Sequence, residues 1–187
     1  MIYHRQRAFS LVELITAIAI LAITVSFAVS SMQPVSARTT TRSVLAKVYA
    51  GFQFARSAAV NKQQLVTICP LDGNGECIND WNQPISIFLD PSNERSLTDG
   101  NLLQLIPATT SGSLIAQPAS KRYFQFRPIG TVHGTLGNVT FCPQNGDAIH
   151  AGQLILSSGG RLRYARDRDQ DGVAEGSDGS PISCTGS

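Results

Sequence analysis

Histidine is scarce in this chain, three residues in 187, and none of the three sits in a catalytic motif. There is no H-E-x-x-H to hold zinc, no G-x-S-x-G to present a serine nucleophile, and no glycine loop of the kind that cradles phosphate. His133 and His150 stand alone, and lone histidines in loops are ordinarily just solvated. The sequence therefore predicts a protein that is not an enzyme and requires no cofactor. Close C-x-x-C pairs are missing too, which argues against a four-cysteine metal site. No internal repeat is visible.

What is present begins with Phe9-Ser10-Leu11-Val12-Glu13-Leu14, the start of 21 mostly apolar residues, Phe9 to Val29, that carry one charge. A helix of that length, rising about 1.5 Å per residue, spans about 31 Å and can cross a bilayer core. An unpaired carboxylate at the centre of a membrane costs about 2.5–3.5 kcal/mol. The place of Glu13 near one end softens that cost, and a partner cation removes most of it. A cut after Ala8 creates such a cation, the new α-amine of Phe9.

A short basic leader with Arg5 and Arg7, a small residue, then F-[ST]-L-[VI]-E-L resembles the type III signal of type IV pilins and type II secretion pseudopilins. The resemblance implies that a prepilin peptidase cuts between Ala8 and Phe9 and that the amine of Phe9 is N-methylated. Ala8 departs from the glycine usual there, and is small enough for cutting to proceed. Glu13 then pairs with its own amine in the bilayer and with a neighbouring subunit's amine during assembly. Breaking a charge pair in a low-dielectric core is strongly penalised even where the intact pair adds little stability, so Glu13 sets the register between subunits. An uncleaved signal anchor is the alternative. A secretory signal peptide fits worse, because the apolar run is too long and no small-x-small site follows. Loss of residues 1–8 leaves 13 basic against 13 acidic residues, so any affinity for nucleic acid must be local.

Farther on, Val44, Leu45, Val48, Phe52, Ala55 and Ala59 recur at spacings of three and four, with Arg42, Lys47, Arg56 and Lys62 largely off that stripe. The pattern predicts one long helix from about Phe9 to Gln63, kinked near Pro34, where proline removes a backbone donor. Two helices joined at Pro34 are the alternative. Short apolar runs bounded by Gly, Pro, Asn and Asp then predict strands at Leu65–Cys69, Ile85–Leu89, Leu102–Ile106, Tyr123–Arg127, Val139–Cys142, Gln153–Leu156 and Arg161–Ala165. Ser111–Ser120, rich in Ser and Ala, reads as a flexible connection. The fold class is α+β, a long N-terminal transmembrane helix packed on an antiparallel sheet head. The layout is a leader (1–8), a transmembrane part of the helix (9–29), a periplasmic part (30–63) and a head (64–187).

Trp81, Ile85-Ser86-Ile87-Phe88 with Asp90, Leu102–Ile106, Phe126 with Gly130, and the run from Leu154 to Arg163 are similar to the GspH/FimT/FimU group of minor pilins and H-type minor pseudopilins. That resemblance implies a subunit held in the bacterial inner membrane with its head in the periplasm. It joins other pilins through the N-terminal helix and enters a pilus or pseudopilus. A FimT/FimU-type chain helps prime a type IV pilus; the alternative is the H-type minor pseudopilin of type II secretion.

Four cysteines outside the inner membrane fit disulfides. The turn sequence Asp72-Gly73-Asn74-Gly75 between Cys69 and Cys77 makes a local bridge the simplest of three pairings, and leaves Cys142 with Cys184. Loop entropy assigns about 2.6 kcal/mol to the short loop and about 4 kcal/mol to the long one. Arg161, Arg163, Arg166 and Arg168 form the densest positive cluster. On a strand, Arg161 and Arg163 share one face with Leu162 on the other, and Tyr164 beside them can stack on a base. Guanidiniums so placed can bind the phosphates of double-stranded DNA without regard to sequence. Gly160-Arg161-Leu162-Arg163 also resembles the G-R-x-R motif of FimT-type pilins, which take part in DNA uptake during transformation. A solvated strand end paired to Asp167, Asp169 or a neighbouring pilin is the alternative. Lastly, Asp167, Asp169, Asp171, Gly172 and Asp178 fit the D-x-D-x-D-G-x5-[DE] spacing of a calcium loop closed by Asp178. A mobile acidic loop is the alternative.

Overall fold

The computed structural model describes residues 10–30 and 33–184, with side chains at 10–24 and 37–184. The leader, Phe9 and the cut between Ala8 and Phe9 lie outside the described residues. The chain divides between Ser36 and Ala37 into two compact units. Helix α1 is Leu11–Ser30 and helix α2 is Gln33–Lys62. Their junction at Ser31 and Met32 lies outside the described residues, and with it the expected kink. Pro34 is the second described residue of α2. The helix ends where Gln63 takes a left-handed φ of 53° and Gln64 N–H bonds back to Ala59 O at 3.3 Å.

After α2 come β1 (Val66–Pro70), β2 (Ile85–Leu89), β3 (Leu102–Ile106), β4 (Gly112–Gln117), β5 (Phe124–Phe126), β6 (Val132–His133), β7 (Gly137–Pro143), β8 (Gly152–Leu156) and β9 (Leu162–Tyr164). They form two antiparallel sheets rather than the single one expected, ordered β3-β2-β1-β5-β6 and β4-β7-β8-β9. The flexible connection read at Ser111–Ser120 is instead strand β4, paired with β7 from Gly112↔Pro143 to Gln117↔Asn138. Its small residues hid a period of two, since Leu114 and Ala116 are buried while Ser113 and Ile115 are half-buried and Gln117 is exposed. Gly112 is required there, because a Cβ would collide with Cys142 O.

The apolar stripe of α2 supplies the core of this unit. Leu45, Val48, Phe52, Ala55 and Ala59 are buried against Ile68 and Ile87 of one sheet and Val139, Phe141 and Leu154 of the other. Phe52 meets Phe124 and Phe126 edge-on at 5.1 and 6.4 Å between ring centres. Full burial of such a side chain stabilises by about 1.5–3 kcal/mol. Gly51 permits the close approach, since a Cβ would strike Ile106.

On the outer side of the first sheet, Asp90 is buried and fully satisfied. Its carboxylate accepts from Thr67 Oγ1 (2.7 Å), Gln125 Nε2 (3.1 Å), Glu94 N (2.8 Å) and Arg95 N (3.1 Å). His133 joins this network, its Nδ1 3.1 Å from Gln125 Oε1, and His150 lies 2.7 Å from Asp147. Neither histidine is therefore the solvated loop residue expected.

Candidate functional site

Two places in the chain bring chemistry-bearing residues together, and the first is the start of α1. Glu13 N donates to Ser10 Oγ at 3.3 Å and Leu14 N to Ser10 O at 3.2 Å, so Ser10 caps the helix. A glutamate three residues after a capping serine sits in the first turn, at the positive end of the helix dipole. From Leu11 to Ile23, eight large apolar side chains are 57–73% exposed and point all round the helix. Thr16 and Thr24 turn their hydroxyls back onto the carbonyls of Glu13 and Leu21, at 3.0 and 2.9 Å. Among the described residues no helix is long and apolar enough to cross a membrane, and the α1 side chains beyond Thr24 are not among them.

The second place is the strand end that follows β8. A tight turn, Ser157 N to Arg161 O at 2.9 Å and Gly160 N to Ser157 O at 2.9 Å, leads into β9. Gly160 takes φ +77°, and a Cβ there would collide with Gly130 O. Arg56 of α2 holds both turns, Nε donating to Gly130 O at 2.8 Å and Nη2 to Gly159 O at 3.2 Å. The helical pattern put Arg56 among solvent-facing residues; its spacing of four from Phe52 was the signal that it borders the buried stripe.

Arg161, Arg163, Arg166 and Arg168 are all exposed, with Leu162 buried between the first two. Arg161 belongs to the turn, since β9 starts at Leu162. Among the described residues none of the four forms an ion pair with Asp167 or Asp169. Tyr164 lies opposite Leu154 while Arg163 lies opposite Ile155, so the tyrosine shares the face of Leu162 and not that of the arginines. It stacks on Tyr49 of α2, ring centres 5.6 Å apart and planes at 17°, which corrects its reading as a base platform beside the arginines.

The acidic loop closes differently from its spacing. One carboxylate oxygen each from Asp167, Asp169, Asp171 and Glu175 lie within 4.8 Å of one another. Asp178, the expected closing residue, is outside that group. Its Oδ1 accepts Ser180 N at 3.0 Å, and this bond holds its carboxyl below the usual range. The cause is a reversal of the chain after Val173. Glu175 N bonds to Arg166 O at 3.1 Å, bringing Glu175 back to the aspartates and sending Asp178 into the next turn, closed by Gly176 N to Ser180 O at 2.8 Å.

Disulfides join Cys69 to Cys77 and Cys142 to Cys184, with Cα atoms 5.5 and 5.6 Å apart. The second ties the segment after the acidic loop back to β7.

Comparisons with known proteins bear on this geometry. The family described as type II transport protein GspH matches residues 45–160, and the prokaryotic N-terminal methylation motif matches residues 3–29. The fold is similar to the type IV minor pilin FimU of Pseudomonas aeruginosa in two crystal forms. In space group P21 the identity is 24% and the TM-score 0.54, over 79% of this chain and 96% of that one. In P65 the identity is 24% and the TM-score 0.52, over 76% and 98%. The minor pseudopilin EpsH from the type 2 secretion system of Vibrio cholerae is more remote, with 12% identity and a TM-score of 0.40 over 70% and 94%. No curated protein sequence matches significantly. A family match that covers more than half of the chain decides the matter: the protein belongs to the type II transport protein GspH family, and is a type IV pilin-like minor pilin or pseudopilin.

Proposed function

We propose that this chain is a minor pilin of the FimT/FimU kind. It is cut before Phe9, methylated, held in the bacterial inner membrane by α1 with its head in the periplasm, and built into a type IV pilus that it helps prime. The observation that carries this reading is α1 itself. An α-helix that exposes apolar side chains all round requires an apolar solvent, lipid first and neighbouring helices afterwards. Its single carboxylate, in a capped first turn, is where a neighbour's N-terminal amine reaches it. Likeness of fold to FimU supports the pilus version.

Intact mass of membrane-extracted protein tests the processing step. The expected mass begins at N-methyl-Phe9, and a chain retaining Met1 to Ala8 overturns the reading. The description of the matched family favours a second version, the H-type minor pseudopilin of type II secretion. Deleting the gene separates the two, since the first loses surface pili and the second loses secreted proteins.

The four exposed arginines, which form no ion pair among the described residues, favour an added role in holding double-stranded DNA. Changing Arg161 and Arg163 to Gln lowers affinity for every duplex alike and reduces the salt slope by about two. A double variant that binds as wild type does, measured by gel shift in low salt, removes that role.

A further inference from the structure

We propose that Asp167, Asp169, Asp171 and Glu175 form a calcium site, closed by Glu175 at the ninth position of the loop and not by Asp178 at the twelfth. Oxygens on opposite sides of a calcium ion, each about 2.4 Å from it, lie about 4.8 Å apart, whereas around magnesium the span is nearer about 4.2 Å. Four carboxylate oxygens within 4.8 Å of one another fit inside one calcium coordination sphere.

An acidic cluster on a surface means little by itself. The decisive group is Glu175, whose residue is only 8% exposed while the three aspartates stand in solvent. Its Oε2 accepts Arg168 N at 2.8 Å, and its Oε1 is buried with no hydrogen-bond partner. Among the described residues no lysine or arginine pairs with this carboxylate. A buried, half-satisfied carboxylate is costly unless something positive reaches it. A hard cation held jointly with the aspartates meets that need, and the remaining coordination positions are open to water. The bound ion also joins the loop to the Arg166–Glu175 and Glu175–Pro181 bridges, and so firms the segment that ends at the Cys142–Cys184 disulfide. None of this depends on which filament the protein enters.

The test uses the full-length chain in detergent, stripped with chelator and titrated with calcium chloride or magnesium chloride in a calorimeter. Wild type is expected to take up one calcium ion saturably, with a higher melting temperature in calcium and weaker binding of magnesium. Glu175→Gln and Asp169→Asn each weaken calcium binding by at least about tenfold, because each removes a charged ligand. Asp178→Asn leaves it unchanged. If Glu175→Gln does not fold, the exposed Asp169→Asn compared with Asp178→Asn carries the same test. Absence of saturable binding at millimolar calcium overturns the proposal, and so does an Asp178→Asn variant that loses as much affinity as Asp169→Asn.

Discussion

Helices α1 and α2 follow one another in sequence and meet opposite surroundings. Leu11 and Ile18 of α1 are 73% and 57% exposed, whereas Val48 and Phe52 of α2 are each 1% exposed. Apolar content does not explain the difference, since α1 is the more apolar of the two. Arrangement does. In α2 the large side chains recur every three or four residues between Arg42, Lys47 and Lys62, so one stripe meets two sheets and the other face stays in water. In α1 they stand all round, and no single sheet can cover a cylinder. A helix with one apolar face is completed by its own head, while one apolar on every side finds no such single partner surface.

The sharpest way to break this comparison is to truncate one large residue in each helix. Phe52→Ala is expected to destabilise the head by about 3–5 kcal/mol, from lost burial and the cavity left between Phe124 and Phe126. Ile18→Ala is expected to leave the urea midpoint of the head unchanged, followed by fluorescence of the buried Trp81 in the full-length chain in detergent. Equal shifts would mean that the two helices do not differ as described.

Next in size is a test of the polar side of α2. Arg56→Ala removes two charged hydrogen bonds to the turns at Gly130 and Gly159 and is expected to cost about 1.5–3 kcal/mol. The exposed Lys62→Ala is expected to stay within about 0.5 kcal/mol of wild type. If both behave alike in the same assay, Arg56 is only a solvated side chain.

A smaller effect concerns the charge buried in the head. Burial pushes the Lys121 ammonium below its ordinary pKa near 10.5, while its Nζ donates to Thr135 O and lies 4.7 Å from the Phe124 ring centre. Below the lowered value both folded and unfolded chains carry the proton, and the cost of burying the charge is fully present. Between that value and 10.5 the folded chain has released its proton and the unfolded chain has not, so stability rises with pH. Melting temperatures measured against pH should show this rise in wild type and lose it in Lys121→Met. A rise that persists in the variant assigns the effect to another group.

The smallest expected effect on the head comes from Glu13→Ala, which should not move its melting temperature at all. Its consequence lies in assembly, where the variant is expected to be depleted from sheared filaments while its level in the membrane is kept. Normal incorporation would show that the carboxylate does not set register between subunits.

Much of the head was legible because its elements are local. Periodicity alone marked the stripe from Val44 to Ala59, and the strand at Ile85–Leu89 has the bounds its apolar run predicts. Other runs shifted by a residue or two, as Leu65–Cys69 became Val66–Pro70. Strand β4 was missed because Ser and Ala mask alternation, and its existence rests on pairing with β7, far along the chain. The two-residue β6 is too short to carry a pattern, and is held by β5 and by Val132 N donating to Ser158 O at 3.1 Å.

By itself, then, the sequence determined what depends on spacing within a few residues: the serine and glutamate at the start of α1, the stripe of α2, the inward-turning aspartates of the loop. Tertiary structure alone decided which distant atoms meet. It set Arg56 onto Gly130 and Gly159, turned Tyr164 to Tyr49, and brought Glu175 to the aspartates in place of Asp178. The physical reason is the same in each case. A side chain's range of partners is fixed by its own chemistry, but the partner it takes is set by backbone reversals and sheet register, and residues scores of positions away govern those.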